Sequence, residues 1–313
     1  MGKINKLLKD SRSIGRILYY ELLIIRSYFR VDRWLSDRAF INKYYKKQFG
    51  RYPNIDNPTR LTEFIQWLKL NVRKPIYTTL ADKYAVRDYI KEKFGDEHLV
   101  PLLFETTDAK QLKPGNIKTF PCIIKSNHDS GFFKIVKAPK DVNWKELRID
   151  FNYRLRLNYF TFSREWPYKD INPRRIIVEK LLLTKEGKLP NDYKLHYING
   201  NLEFVYVSYD RQGINDRCVY DKDWNRMPFV WVPKSTYKES MNSANVPCPQ
   251  TFNMMKKYGS EIAKGFKYVR VDFYDVDGTL YFGEITLYHG SGMDLFFPDK
   301  YDEIYGAKVV NTI

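Results

Sequence analysis

Cysteine is scarce in this chain of 313 residues. Cys122, Cys218 and Cys248 are far apart and odd in number, so no disulfide framework or zinc spacing follows, which fits a reducing cytoplasm. Histidine is almost as sparse: His98, His128, His196 and His289 show no HExxH or paired spacing. Long apolar runs are missing. The best stretch, residues 17–29, is interrupted by Glu21 and Arg26 and has no small-residue cleavage site, so neither a membrane span nor a signal peptide is expected. There is no GxxxxGK[ST] loop, no internal repeat and no low-complexity linker. Acidic residues are in deficit, 37 against 53 Lys and Arg, for a net charge of +16. That excess suits an anionic membrane face, nucleic acid or a polyanionic substrate such as a nucleotide or acidic sugar, and charge alone does not choose among them.

Hydrophobic residues make up 43% of the chain and aromatics 16%, led by 25 Tyr and 20 Phe. This excludes a disordered chain, favours sheet and supplies enough core for two or three subdomains. Residues 1–50 carry twelve Lys and Arg against four Asp and Glu. Within them Ile4, Leu7, Leu8, Ile14, Leu18, Leu22, Ile25 and Phe29 recur at helical spacing, with Lys3, Lys6, Lys9, Arg12, Arg16 and Arg30 mostly off the stripe. Such a helix either docks on its own protein or a second copy, the reading Gly15 and Glu21 favour, or lies on an anionic membrane.

Asn57-Pro58 predicts a cap and first position for a helix over residues 59–70 that buries Leu61, Phe64, Ile65 and Leu68. A second helix is predicted over 79–94, stopped by Gly95, with Lys83 and Arg87 on one solvated face. Residues 101–118 read as mixed, with a turn at Pro114-Gly115. A short strand, 120–125, ends in Lys125 and is followed by Ser126-Asn127-His128-Asp129-Ser130-Gly131 and a return strand at 132–136. Small residues in such a loop can turn backbone N–H groups toward phosphate oxygens. Residues 143–159 read as helix and 174–183 as a buried strand containing Glu179-Lys180. Asn199-Gly200 predicts a hairpin of 192–198 with 202–207, in which Asp192 and Lys194 share a face and Asp210-Arg211 close the second strand. Residues 213–246 read as irregular, and 251–266 as a helix.

The stretch YVRVDFYDVDGTLYFGEITLYHGSG (268–292) is the most informative. It predicts two strands joined at Asp277-Gly278. Arg270 and Asp272 share one face of the first, and Glu284 stands on the partner within cross-strand reach. Facing carboxylates are costly to desolvate unless they bind something. Either they hold a hard cation such as Mg²⁺, or they form an ordinary Arg–Asp–Glu pairing on a wet face.

Taken in order, ADKYAVRDYI (81–90), IIKSNHDSG (123–131), VEKLL (178–182), DYKLHYING (192–200) and 269–292 resemble the ATP-grasp superfamily, in particular its TupA-like branch, over roughly residues 50–305. The resemblance implies an α+β ATP-grasp fold, two antiparallel α+β subdomains sandwiching ATP behind a helical N-terminal region. It divides the chain into 1–50, a basic helical segment; 51–118, a helical region; 119–182, the central subdomain with the phosphate loop; and 183–313, the C-terminal subdomain with the metal site. It further implies that Lys125 and Lys194 hold phosphates, with Lys83 as an N-terminal lysine of the site. Asn127, His128, Ser130 and Gly131 would form a flexible lid. Glu179 would meet the adenine and ribose, with Lys180 to Leu182 as the hinge. Arg270 would steady the charged intermediate, and Asp272 and Glu284 would bind Mg²⁺. Where the family has an Asn two residues after that glutamate, this chain has Thr286, a poorer neutral ligand. His289 is either a base on an incoming amine or a loop histidine bonded to backbone.

The implied activity is a cytoplasmic ATP-dependent ligase joining a carboxylate to an amine, an acidic sugar or sugar-linked carboxylate with an amino acid, in surface polysaccharide synthesis. The alternatives are a glycosyltransferase-like enzyme of the same pathway and a basic nucleic-acid-binding protein. No RRM, helix-turn-helix or zinc pattern supports the last.

Overall fold

The computed structural model describes residues 13–29, 31–209, 216–234 and 244–310. The expectations for Ile4, Leu7, Leu8, Lys3, Lys6, Lys9, Arg12, Arg30 and Asp210-Arg211 lie outside the described residues. The chain folds as two compact units that exchange segments: Met1–Phe40, Asp82–Val86 and Pro101–Leu181 form the first, and Ile41–Ala81, Arg87–Val100 and Leu182–Ile313 the second.

The first unit is built on an antiparallel sheet of β1 (Leu102–Thr106), β2 (Cys122–Ser126), β3 (Phe133–Val136) and β4 (Ile176–Lys180), in the order β1-β4-β2-β3. Cys122, Ile124, Val136, Ile176 and Val178 pack from the sheet against Leu147 and Phe151 of a helix spanning Trp144–Arg156. Asn143 starts that helix by accepting from the backbone of Lys145 and Glu146 at 3.1 and 3.3 Å, which satisfies N–H groups the helix cannot. The helix Ser13–Phe29 packs on it: Tyr20 stacks on Tyr153 with ring centroids 4.1 Å apart, and the Tyr20 hydroxyl donates to Asp150 at 2.6 Å. The basic segment therefore docks within its own protein over its described part. Strand β1 lies where the sequence read only mixed structure.

The second unit carries a five-stranded antiparallel sheet, order β10-β9-β5-β6-β7, from β5 (Asp192–Ile198), β6 (Asn201–Tyr209), β7 (Asp216–Tyr220), β9 (Tyr268–Val276) and β10 (Thr279–Thr286). A short pair, β8 (Val230–Val232) with β11 (Leu295–Phe297), lies beside it in sequence order. β7 and β8 correct the expectation that 213–246 is irregular; at five and three residues each is too short to show a period. Both hairpin turns form as expected, with positive φ at Asn199, Gly200, Asp277 and Gly278, the geometry that two-residue hairpins need.

Two helix expectations are corrected. The helix over 59–70 runs Leu61–Asn71 and is not capped by Asn57. Glu63, inside the first turn, accepts from the backbone of Asn54 and Thr59 at 3.2 and 3.1 Å, and Asp302 accepts from the Thr62 N–H at 2.9 Å. The predicted helix over 79–94 is two helices, Ile76–Ala81 and Val86–Phe94. Asp82 breaks it, because its Oδ1 takes the N–H groups of Tyr84 and Ala85 at 2.8 and 3.3 Å, a local bond that competes with helix continuation. Lys83 and Arg87 consequently do not share a solvated helix face. Lys83 donates to the Asp129 carbonyl, and Arg87 to the Val100 carbonyl at 2.9 Å.

Candidate active site

In the second unit, β5, β9 and β10 bring five charged side chains to one sheet face. Lys194 pairs in register with Asp272, and Asp272 with Glu284, while His196 and Thr286 flank Arg270. The hairpin alone would not do this. From Thr279↔Val276 to Phe282↔Phe273 the ladder is regular, and continued unchanged it would set Glu284 opposite Val271, on the other face. The register shifts by one between Phe282 and Glu284, a bulge that flips Glu284 onto the Asp272 side. Gly283 sits in that bulge, and a Cβ there would lie 3.0 Å from the Asp272 carbonyl oxygen and 3.2 Å from its Cβ.

The charges interlock. Arg270 Nε and Nη2 each donate at 2.7 Å to the two oxygens of Asp272, and Nη2 also reaches Glu284 Oε1 at 2.5 Å. Lys194 Nζ stands 2.5 Å from Asp192 and 2.8 Å from Asp272. Burial pushes the Asp272 carboxyl above its ordinary range and is opposed by Arg270 and Lys194, from both of which it accepts. Burial likewise opposes the charge on Lys194, yet Asp192 and Asp272 raise its pKa above the ordinary lysine value. Three carboxylates face two cations, an excess of one negative charge.

The His289 ring is bonded to side chains and not to backbone. Its Nδ1 is 2.7 Å from Arg270 Nη1, and its Nε2 is 3.4 Å from Asp294 Oδ2. A guanidinium only donates, so Nδ1 is the acceptor and the ring proton is on Nε2. Burial pushes its pKa down to about 4. The loop that carries it has left-handed backbone at three successive residues, Gly290, Ser291 and Gly292. It is gripped from the helix Leu61–Asn71. Lys69 Nζ donates to Ser291 O at 2.7 Å and stands 2.6 Å from its hydroxyl, and Gln66 Nε2 donates to Ser291 O and Gly292 O at 3.1 and 3.0 Å. Any side chain at Gly292 would meet Gln66 Nε2 at 2.3 Å. Sequence reasoning missed Lys69, Gln66, Asp294 and Gly283. Only Gly283, an isolated glycine in a strand pattern, left a readable signal.

In the first unit, Lys125 Nζ pairs with Glu179 Oε2 at 2.6 Å across β2 and β4. The loop after β2 is not loose over its first half: Ser126, Asn127, His128 and Asp129 are buried, and Ser130 and Gly131 are exposed. Asn127 donates to Asp82 at 2.9 Å and accepts from the Arg175 N–H at 2.7 Å. The His128 ring lies between Asn127 Oδ1 at 3.1 Å and Arg154 O at 3.0 Å, and burial pushes its pKa down to about 4. The Asn127 and His128 side chains are thus committed to the protein. Lys180 is exposed at the end of β4, and Leu182 begins the segment belonging to the second unit.

Mg²⁺ keeps several waters and needs only one or two carboxylates besides phosphate oxygens. Asp272 and Glu284, on a face with surplus negative charge, fit that demand. Among the described residues no three His, Cys, Asp or Glu side chains gather as a closed metal cage. The Thr286 hydroxyl donates to Glu284 Oε1 at 3.1 Å and is placed beside, not across from, that carboxylate.

No curated protein matches the chain. Among solved structures it is similar to D-alanine–D-alanine ligase from Bacillus anthracis (15% identity, 75% of this chain and 67% of that one, TM-score 0.43). It is also similar to the ATP-grasp ligase PsnB complexed with a phosphomimetic variant of its minimal precursor, Mg and ADP (10% identity, 79% and 67%, TM-score 0.39). A third is phosphoribosylamine–glycine ligase from Thermotoga maritima (14% identity, 70% and 52%, TM-score 0.38). These likenesses are distant. The TupA-like ATPgrasp family matches residues 63–310, most of the chain and every charged residue described above, and the chain belongs to that family.

Proposed function

We propose that this protein is an ATP-dependent ligase that joins a carboxylate to an amine through an acyl phosphate. The observation that carries the reading is the Arg270 bridge between Asp272 and Glu284 with Lys194 on the same face, in a chain of the TupA-like ATP-grasp family. In the proposed scheme a substrate carboxylate oxygen attacks the γ-phosphorus of ATP, the bond to the β-phosphate oxygen breaks and ADP leaves. The amine nitrogen then attacks the acyl carbon, the carbon–oxygen bond to phosphate breaks, and phosphate leaves as the nitrogen loses a proton.

Like-charged oxygens must approach one another in the first step, so positioning and electrostatics carry most of the catalysis. Lys125 and Lys194 are proposed to hold phosphate oxygens, with Lys83 fixing the loop that follows Lys125. Glu179, Lys180 and Leu182 would meet the ribose and adenine, and Ser130-Gly131 would contribute backbone N–H groups. Magnesium, when bound, would be held by Asp272 and Glu284 with Thr286 alongside, and would offset phosphate charge. Arg270 spends four of its five N–H groups on Asp272, Glu284 and His289. The fifth, on Nη1, is proposed to reach the developing oxyanion. His289 holds Arg270 in that pose rather than serving as the base.

The acid is proposed to be an acidic sugar or a sugar-linked carboxylate, for which the +16 charge provides attraction, and the amine that of an amino acid in surface polysaccharide synthesis. An enzyme drawing on the ATP pool would work in the cytoplasm. The test is product formation. With Mg²⁺ and ATP, the purified protein should release ADP and phosphate when a uronic acid derivative and an amino acid are both present, and not with either alone. Consumption of a sugar nucleotide without ATP would point instead to a glycosyltransferase.

A further inference from the structure

The helix Ser13–Phe29 is held to the first unit by one side only. Arg16 Nη1 stands 3.2 Å from both Glu146 and Asp150, Tyr20 stacks on Tyr153, and Ile24 is buried. The other side faces water and is mostly apolar: Ile14 is 84% exposed, Ile17 46%, Leu18 50% and Ile25 48%. Glu21 stands among them, and its charge is offset by Arg156 at 2.5 Å. Spacings of three, four and seven put these residues on one stripe, on the order of 15 Å long at 1.5 Å per residue. Trp34, in the turn Val31–Trp34 that follows the helix, is 79% exposed.

We propose that this stripe rests in the headgroup layer of an anionic phospholipid bilayer. Residues 1–30 carry seven Lys and Arg, at 3, 6, 9, 12, 16, 26 and 30, against Asp10 and Glu21. That charge is drawn to anionic lipid and repels a second copy of the same segment. Among the described residues no helix is long and apolar enough to cross a membrane, so the helix lies flat, with its stripe down and its docked side up. An exposed indole next to such a helix suits the boundary between headgroup and acyl chain. The surface is independent of the ligase reading: it would bring whatever the enzyme does to a membrane surface, where lipid-linked substrates are found.

The experiment is sedimentation of the full-length protein with vesicles of phosphatidylcholine alone or mixed with phosphatidylglycerol. The protein is expected to pellet with the mixed vesicles, to be released from them as salt is raised, and to stay in the supernatant with phosphatidylcholine vesicles. The triple variant Ile14→Ser, Leu18→Ser, Ile25→Ser should lose on the order of tenfold or more in partitioning. Its far-ultraviolet dichroism and melting temperature should stay close to the parent's, because all three side chains are about half exposed or more. Ile304→Ser, an exposed apolar residue elsewhere, should bind as the parent does. Failure of the parent to bind, equal binding to neutral vesicles, or unchanged binding by the triple variant would overturn the proposal. So would a concentration-dependent dimer in light scattering that the triple variant abolishes, since the stripe would then belong to a second copy.

Discussion

Arg270 Nη1 and His289 Nδ1 are 2.7 Å apart, and because an arginine has only hydrogens to offer, the distance fixes the histidine as the neutral Nε2–H tautomer. Asp294 stands behind that proton at 3.4 Å. The arrangement runs Asp294, His289, Arg270, then Asp272 and Glu284, and it aims the guanidinium. Nitrogen-15 spectra of the labelled protein should show the His289 ring neutral, with Nε2 protonated, down to about pH 4, the value to which burial lowers it. In the ligase assay His289→Ala should lower kcat by roughly tenfold to a hundredfold, as misplacing a catalytic group does, while the KM for MgATP changes little. A large loss in nucleotide affinity with kcat intact would assign His289 to binding.

Lys69 is the second element of that support. Its ammonium is spent on Ser291, whose backbone is left-handed. Lys69→Met should remove the donor while keeping most of the side-chain volume, so that the half-buried Ser291 carbonyl loses one of its hydrogen bonds. A cost of about 1–3 kcal/mol is expected from chemical denaturation, together with a fall in kcat of the same kind as His289→Ala. The double variant should fall by less than the product of the two single losses, because both act through one loop.

Gly283 makes the site possible. A methyl group there would press on the Asp272 backbone at 3.0 Å, which has little freedom inside a central strand. Gly283→Ala is expected to cost about 1–3 kcal/mol, the usual range for overpacking. It should also weaken binding of Mg²⁺ and nucleotide, because restoring a regular ladder would carry Glu284 to the far face. Calorimetric titration of MgADP into the variant checks the second half.

Stability should fall on acidification before the carboxylates titrate. Burial lowers His128 and His289 to about 4 and lowers His196 as well, so between the ordinary histidine value near 6.5 and about 4 the unfolded chain binds more protons than the folded one. Stability then rises with pH across that window. A shift of this size in His128 corresponds to a loss of about 3 kcal/mol on going from neutral pH to pH 4. Asp302, raised by burial to about 6, works the other way, since its stabilising proton is lost as pH rises from 4 to 6. Urea midpoints measured from pH 7 to pH 4.5 should decline in the parent, and more steeply in Asp302→Asn, which lacks that opposing group.

Much of this was legible in the residues. Asn199-Gly200 and Asp277-Gly278 announce their hairpins because few other pairs tolerate positive φ twice. Arg270 and Asp272 must share a face because strands alternate. The pairing of Lys194 with Asp272 and the contact of Lys125 with Glu179 needed the tertiary ladder, to which motif order alone pointed. What escaped did so for physical reasons. The bulge at Gly283 reverses a face on the strength of one residue without a side chain. Lys69 carries no signal in the sequence, since nothing local shows that a distant loop will bury it. Asp82 broke a helix by accepting from the N–H groups of Tyr84 and Ala85. The resemblance implied a flexible lid after Lys125, yet Asn127 and His128 anchor the loop through partners more than twenty residues away.

The central claim is that Asp272 and Glu284 together hold the magnesium of a bound nucleotide. The most direct measurement is calorimetric titration of ADP into the parent protein and into the Asp272→Asn, Glu284→Gln variant, each with and without Mg²⁺. The parent is expected to bind ADP more tightly when Mg²⁺ is present, and the variant to bind it equally weakly in both conditions while melting as a folded protein. A folded variant that retains the parent's full magnesium-dependent gain in affinity would contradict the account.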